Sequence, residues 1–291
     1  MSKLKIDWHT EPSREHRNDI VLKTYKRFLS SLGLREETIK LYCGRLNKYL
    51  DFAQSIEPST AKADEYREYL IDQSLSESHI NNTCFAIKKY YEMKSIKWSF
   101  TKLKPFDGVP YFFDEDDVLK IFSVCTNIKH LAMLQTLFYG TLRSSELCRL
   151  EDKDLDLEKK LLRLRKTKSG RDDIAFISED CAETLKIYLN IRPQIIIGGK
   201  IPLFYTDNGN CWEKGDVYRM FLYYKDKAKI NKPGAVHVFS RHTPATLLVR
   251  NGCDIRIIKE ILRHNDVRTT LRYAHVADHT KRERYDEYLR L

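Results

Sequence analysis

Apolar residues recur at every third or fourth position through the first third of the chain, which is the spacing of helices with one buried face. Four such stretches lie between residues 19 and 95. Gly33 ends the first stretch, the run Arg35-Glu36-Glu37 opens the second, and the last two cover residues 62–72 and 77–93. The pattern predicts a four-helix N-terminal domain over residues 14–104.

The helical period is lost near residue 97 and returns near residue 114. Two prolines and a glycine lie between these points, so we predict a linker over residues 105–111 and a second domain over residues 112–291. Asp114, with Asp117 three residues later, has the spacing of a capped helix start, and the helical pattern continues through Phe138.

Short runs rich in strand-forming residues then interrupt the helical pattern. Residues 161–168 and 173–177 flank Ser169-Gly170, which is a hairpin signal. Helical patterns return at residues 179–191, 216–228, 241–250 and 254–262, and a charged amphipathic tail covers residues 278–291. The expected fold is therefore mainly α-helical, with a small antiparallel β-sheet in the second domain.

The 291 residues carry a formal net charge of +10, from 51 basic against 41 acidic side chains. Residues 1–105 hold 19 basic and 14 acidic side chains and the remainder 32 and 27, so each part contributes +5. An excess on both parts favours a polyanionic partner, with nucleic acid as the first candidate. A basic surface that is merely solvated is the alternative.

The seven cysteines are odd in number and contain no C-x-x-C pair, which favours reduced thiols over disulfides or structural zinc. The charged N-terminus lacks the apolar core of a signal peptide, and no stretch approaches the roughly 18 apolar residues of a membrane span. These features predict a cytoplasmic location.

Residues suited to metal-free phosphodiester cleavage crowd together between positions 237 and 276. Such cleavage needs cations for the phosphoryl oxygens, a nucleophile, and an acid for the leaving hydroxyl. Arginines, histidines and one tyrosine supply these groups here. The acidic runs at residues 114–117 and 152–156 are interpreted as capping and solvated charge rather than a two-metal site, so no metal or other cofactor is expected.

The order of these residues resembles the tyrosine recombinase, or phage integrase, family and its Xer-like members. The motifs that carry the resemblance are Arg241-His242-Thr243, Leu262-Arg263-His264, Thr269-Thr270, and Tyr273 nine residues after His264. Upstream, residues 140–147 resemble the family's first arginine box, and residues 166–170 resemble its lysine-bearing hairpin. The N-terminal helices resemble its core-binding domain, so the resemblance covers nearly the whole chain.

The resemblance implies a role for each site residue. Arg143 and Arg241 would bind the scissile phosphate, and Lys168 would protonate the leaving 5′ oxygen. His237 would transfer a proton, His264 would hydrogen-bond the phosphate, and Tyr273 would attack it. Strand alternation places Lys166 on the face of Lys168, and only the resemblance favours Lys168. Glu146 is expected to orient Arg143 or to cap its helix.

This sequence departs from the family pattern at two positions. Arg263 stands where the family has glycine before the histidine, at a cost on the order of 1 kcal/mol if the backbone there is left-handed. The family's histidine three residues before the arginine is replaced by Val238, and His237 lies one residue earlier. Because Pro244 limits a regular helix, we predict irregular backbone over residues 236–240, with a bulge that lets His237 face the phosphate. His242 is the competing assignment.

The resemblance implies a two-domain DNA clamp that acts on double-stranded DNA through a 3′-phosphotyrosyl intermediate. Strand exchange between two duplexes implies a homotetramer, and the tail over residues 278–291 is expected to pack on a neighbour or to close its own domain. Two alternatives belong to other classes: a non-catalytic DNA-binding protein on the same scaffold, and a type IB-like topoisomerase.

Overall fold

The computed structural model describes residues 14–104, 110–165, 172–274 and 285–286. The chain divides into two compact units, residues 1–107 and 108–291. The helices of the first unit are α1 (Arg14–Ser31), α2 (Glu36–Ala53), α3 (Thr60–Asp72) and α4 (Glu77–Met93).

The core of the first unit is unusually rich in tyrosine. Tyr25, Tyr49, Tyr90 and Tyr91 are each at most 1% exposed. Their hydroxyls are not left unpaired: Tyr49 and Tyr91 share a hydrogen bond of 2.7 Å, and Tyr25 donates to the Ala86 carbonyl at 2.7 Å. Buried rings with paired hydroxyls fix how the four helices pack, since an unpaired buried hydroxyl would cost free energy.

The second unit combines helices with one small sheet. In chain order its elements are α5 (Glu115–Ser123), α6 (Ile128–Tyr139), α7 (Ser144–Leu147), β1 (Leu155–Asp156), β2 (Leu161–Leu164), β3 (Asp173–Phe176), α8 (Glu179–Ile191), α9 (Lys214–Lys227), α10 (Thr243–Arg250), α11 (Ile255–Ile261) and α12 (Arg268–Leu271). The sheet is antiparallel in the order β1-β2-β3, with Leu162 opposite Ala175. The mainly helical fold with a small antiparallel sheet is confirmed.

The single helix predicted between residues 114 and 138 is wrong, because the structure divides it into α5 and α6. The side chain of Asn127 accepts the backbone N–H of His130 at 3.1 Å and so caps a new helix start. The start of α5 is as predicted: the Asp117 carboxylate accepts the backbone N–H of Asp114 at 3.0 Å.

The segment before α10 is helical rather than irregular, which corrects the prediction for residues 236–240. Val238–His242 form a π-helical turn, in which the Thr243 N–H donates to the Val238 carbonyl five residues back. An α-helical turn would press the Pro244 ring against the Ser240 carbonyl, whereas the wider turn relieves this contact. A π turn takes up one extra residue, so the predicted bulge is present within a helix.

None of the helices within the described ranges combines the length and apolar character needed to cross a membrane. Each of the seven cysteines, all of which lie in those ranges, has a free thiol.

Candidate active site

Arg143 stands at the start of α7, where Glu146 fixes both its backbone and its side chain. The Glu146 carboxylate accepts the Arg143 backbone N–H at 2.9 Å and the Arg143 guanidinium at 2.7 Å. Burial alone would raise the pKa of Glu146, but the Arg143 N–H and the guanidinium groups of Arg263 and Arg143 outweigh it and lower the pKa. The prediction that Glu146 orients or caps is confirmed, because the ionised carboxylate does both.

Arg241 lies in the π-helical turn and is only 2% exposed. Its guanidinium donates to the carbonyl of Thr141 at 2.7 Å and to the carbonyl of Leu262. Burial, together with Arg143 and Arg263, lowers the pKa of Arg241 to about 9, so the group keeps its proton at pH 7. A buried cation with this geometry provides a fixed positive charge for an anion.

Tyr273 follows α12 and is 3% exposed, with its ring packed among Ala245, Val249, Ile258 and Leu262. Its hydroxyl lies 2.6 Å from Nδ1 of His242. Burial raises the pKa of Tyr273, and the cations Arg241 and Arg272 oppose that rise. The tyrosine is therefore held in the core of its own unit with a hydrogen-bond partner on the hydroxyl.

His237 and His264 flank this arrangement. His264 follows α11, and its Nδ1 lies 2.8 Å from the hydroxyl of Thr270. His237 precedes the π-helical turn, its side chain is exposed, and its ring meets the His242 ring edge to face at 4.8 Å between centroids. Partial desolvation, followed by the nearby Arg241 and Arg143, lowers the pKa of His237.

Five of the six predicted site residues are thus brought together, and Lys168 lies outside the described residues. The predicted tail over residues 278–291 also lies outside them, apart from residues 285–286. The contact between His242 and Tyr273 was not predicted. Its only sequence signal is that His242 directly follows Arg241, and the separation of 31 residues from Tyr273 hides the contact.

Acidic side chains do not form an alternative metal centre in the part of the chain that the structure describes, where no group of three potential His, Cys, Asp or Glu ligands occurs. Asp154 is nevertheless buried and pairs with Arg165 at 2.7 Å. Of the predicted capping and solvated charge over residues 152–156, the capping is confirmed at Asp154, which accepts the Glu151 backbone N–H at 3.0 Å. The solvation is wrong for Asp154, because its carboxylate is buried beside an arginine.

Acidification is expected to destabilise the second unit through two histidines. Burial, followed by nearby cations and histidines, lowers the pKa of His242 and of His264 to about 4. The unfolded chain binds these protons near pH 6.5, so the free energy of unfolding falls as the pH drops from about 6.5 towards 4. We expect a loss of roughly 1–2 kcal/mol per histidine at pH 5, measured by urea unfolding. The variant His242→Gln/His264→Gln should show a flatter dependence, and an equal slope in both proteins would contradict the prediction.

The groups gathered around Tyr273 indicate one class of chemistry. Two arginines, a cluster of neutral histidines and a buried tyrosine with its hydroxyl on an imidazole are the groups that phosphodiester cleavage by a tyrosine nucleophile would need. Residues 111–280, more than half of the chain, match the phage integrase family. The chain belongs to this family and is a site-specific tyrosine recombinase.

Known relatives match along nearly the whole chain. The tyrosine recombinase XerA of Pyrococcus horikoshii is 29% identical over 270 residues, which cover 91% of this chain and 92% of the relative. A crystal structure of XerA recombinase superimposes with a TM-score of 0.56 at 26% identity, over 94% of this chain and 99% of that one. The Tn1549 transposon integrase, solved in complex with circular intermediate DNA, has the same fold, with a TM-score of 0.72 at 23% identity over 92% and 99% of the two chains.

Proposed function

We propose that the protein cleaves duplex DNA by attack of the Tyr273 hydroxyl oxygen on the scissile phosphorus. The tyrosine is then joined to the 3′ phosphate and the 5′ oxygen leaves as a hydroxyl. A 5′ hydroxyl from another strand attacks the phosphotyrosine, reforms a phosphodiester and frees Tyr273. The observation that carries the proposal is the buried Tyr273 hydroxyl, 2.6 Å from His242 Nδ1. Trapping of the covalent adduct on a nicked duplex tests it.

The proposed roles of the other residues follow from charge and exposure. Arg143, whose side chain is 25% exposed, and the buried Arg241 neutralise the phosphoryl oxygens. His264 hydrogen-bonds the phosphate and His237 transfers a proton. Lys168 protonates the leaving 5′ oxygen, a role supported by the family resemblance alone.

The sequence left His242 as the competing assignment for proton transfer, and its contacts support a different role. A neutral imidazole accepts a hydrogen bond from a phenol, and the pKa of about 4 keeps His242 neutral at pH 7. We propose that His242 orients the Tyr273 hydroxyl. Because His242 is paired with Tyr273, the more exposed ring of His237 is free to act at the phosphate.

The proposed partner is double-stranded DNA, held by the first unit as a core-binding domain and by the second as the catalytic domain. The net charge of +10 supports this partner, as does the DNA in the Tn1549 integrase complex. We further propose a homotetramer on two synapsed sites and a cytoplasmic location. Similarity to XerA along 91% of the chain argues against a topoisomerase or a non-catalytic DNA-binding protein.

Cleavage is expected to survive excess EDTA. The arginines stabilise the charge that a metal ion would otherwise neutralise, so chelation removes nothing that the reaction uses. The measurement is adduct formation on a nicked site with and without EDTA, at matched ionic strength because DNA binding depends on salt. An adduct that forms only with a divalent cation would contradict the proposed mechanism.

A further inference from the structure

The side chain of Arg263 is buried against the turn that precedes Arg143, and it is only 2% exposed. Its guanidinium donates to the carbonyl of Thr141 at 2.7 Å, of Ile261 at 2.9 Å and of Gly140 at 3.3 Å. It also lies 3.5 Å from the carboxylate of Glu146. One side chain thus joins the end of α11 to the turn that leads into α7.

The backbone of Arg263 is left-handed, with φ of 54°. A non-glycine residue in this conformation costs roughly 1–2 kcal/mol, whereas glycine adopts it freely. The backbone alone would therefore favour glycine. The side-chain contacts of Arg263 offset this cost, which indicates that the guanidinium rather than the backbone accounts for arginine at this position.

Arg263 alters the charge available at the site. The Glu146 carboxylate lies 2.7 Å from Arg143 and 3.5 Å from Arg263, and both Glu146 and Arg263 are buried. Together with Arg241, the site holds three guanidinium groups and the one carboxylate of Glu146, so its net charge is +2. If Arg263 were absent, the same carboxylate would neutralise Arg143 more completely.

Arg263 also shares a hydrogen-bond acceptor with Arg241. The carbonyl of Thr141 accepts from Arg241 at 2.7 Å and from Arg263 at 2.7 Å. Thr141 itself has a positive φ of 48°, so this turn depends on the partners that hold it. Loss of Arg263 would leave Arg241 anchored to a less constrained carbonyl.

We propose that Arg263 is a positioning residue for strand cleavage, which holds Glu146 and the Thr141 carbonyl and thereby directs Arg143 and Arg241 at the scissile phosphate. Arg263 does this without touching DNA. The inference rests on the proposed phosphate-binding roles of Arg143 and Arg241.

The test compares Arg263→Gly with Arg263→Lys in single-turnover cleavage at saturating protein, with DNA affinity measured separately. We expect Arg263→Gly to cleave about 10–100-fold more slowly, because displacement of catalytic groups by about 1 Å costs rate on this scale. Its DNA affinity should stay within about threefold, since the phosphate-contacting surface is kept. Arg263→Lys restores the charge but not the planar fork and should recover part of the rate.

Two controls make the result specific. Arg219→Ala removes an arginine that is 73% exposed and pairs with Asp216 of its own helix, and it should cleave normally at saturation. Arg143→Ala tests the underlying assignment: normal cleavage by that variant would overturn the proposed function, independently of Arg263.

A wild-type cleavage rate in Arg263→Gly would overturn the positioning role, as would equal losses of rate in the glycine and lysine variants. Thermal unfolding shows whether Arg263→Gly is folded at the assay temperature. If it is not, Arg263→Lys decides alone, and cleavage within twofold of wild type would then contradict the proposal.

Discussion

A duplex that carries the recombination site, nicked close to the cleavage point, is expected to trap the wild-type protein as a covalent adduct, whereas Tyr273→Phe forms none. The nick lets a short fragment with the 5′ hydroxyl diffuse away, so religation fails and the phosphotyrosine accumulates. Phenylalanine removes the attacking oxygen, and no other group replaces it. The adduct is measured as a band of reduced mobility under denaturing conditions.

Tyr273→Phe should remain folded and bind DNA. Its ring keeps the contacts with Ala245, Val249, Ile258 and Leu262, and the variant loses one hydrogen bond, worth about 1 kcal/mol. Tyr224→Phe is the matched control, because the Tyr224 hydroxyl is also paired with a histidine, His130, at 3.0 Å. Normal adduct yield from Tyr273→Phe, or loss of the adduct in Tyr224→Phe as well, would refute the assignment of the nucleophile.

The sequence predicted regular helices well where one face of each is buried. Helix α4 spans Glu77–Met93, as its apolar period indicates, and α8 spans Glu179–Ile191 for the same reason. The period is a local property, so it can be read without knowledge of the rest of the fold. The break between α5 and α6 was missed because both helices continue one apolar pattern, and β1 was missed because two residues are too few for alternation.

The sequence proposes a set of residues for the candidate site, but it does not give their geometry. Arg143, Arg241, His264 and Tyr273 were identified through motif spacing. Arg263 contacts Thr141 across 122 positions of sequence, and this contact depends on how α11 packs against the turn before α7. In the sequence, arginine in place of the family's glycine therefore indicated only a backbone cost at position 263. The hydrogen-bond partners of the Arg263 side chain become visible only in the fold.

The π-helical turn explains why sequence spacing could not fix the position of His237 relative to Arg241. Spacing alone indicates that His237 lies one residue too far from Arg241, and it does not say whether the extra residue rotates the histidine away. In the structure the turn over Val238–His242 takes up that residue. His237 occupies the N-cap position of the turn that carries Arg241, and its ring lies 4.8 Å from the His242 ring between centroids.

His237→Ala is expected to slow cleavage by about 10²–10⁴-fold, the range for general acid–base residues, with little change in DNA affinity. His237 is exposed, whereas the Nδ1 of His242 is already occupied by the Tyr273 hydroxyl at 2.6 Å. We therefore expect His242→Ala to lose only about tenfold, through poorer orientation of Tyr273. Single-turnover rates of both variants on the nicked duplex provide the comparison.

The pH dependence separates proton transfer from hydrogen bonding at His237. The pKa of His237 lies below its ordinary value because of partial desolvation, Arg241 and Arg143. If its neutral form accepts a proton, the wild-type rate should fall as the pH drops below that pKa, and this acid limb should vanish in His237→Gln, whose amide can hydrogen-bond but cannot carry a proton. A near wild-type rate in His237→Gln, combined with a loss of 10²-fold or more in His242→Ala, would transfer the proton-transfer role to His242, since only His242 would then be required at the nucleophile.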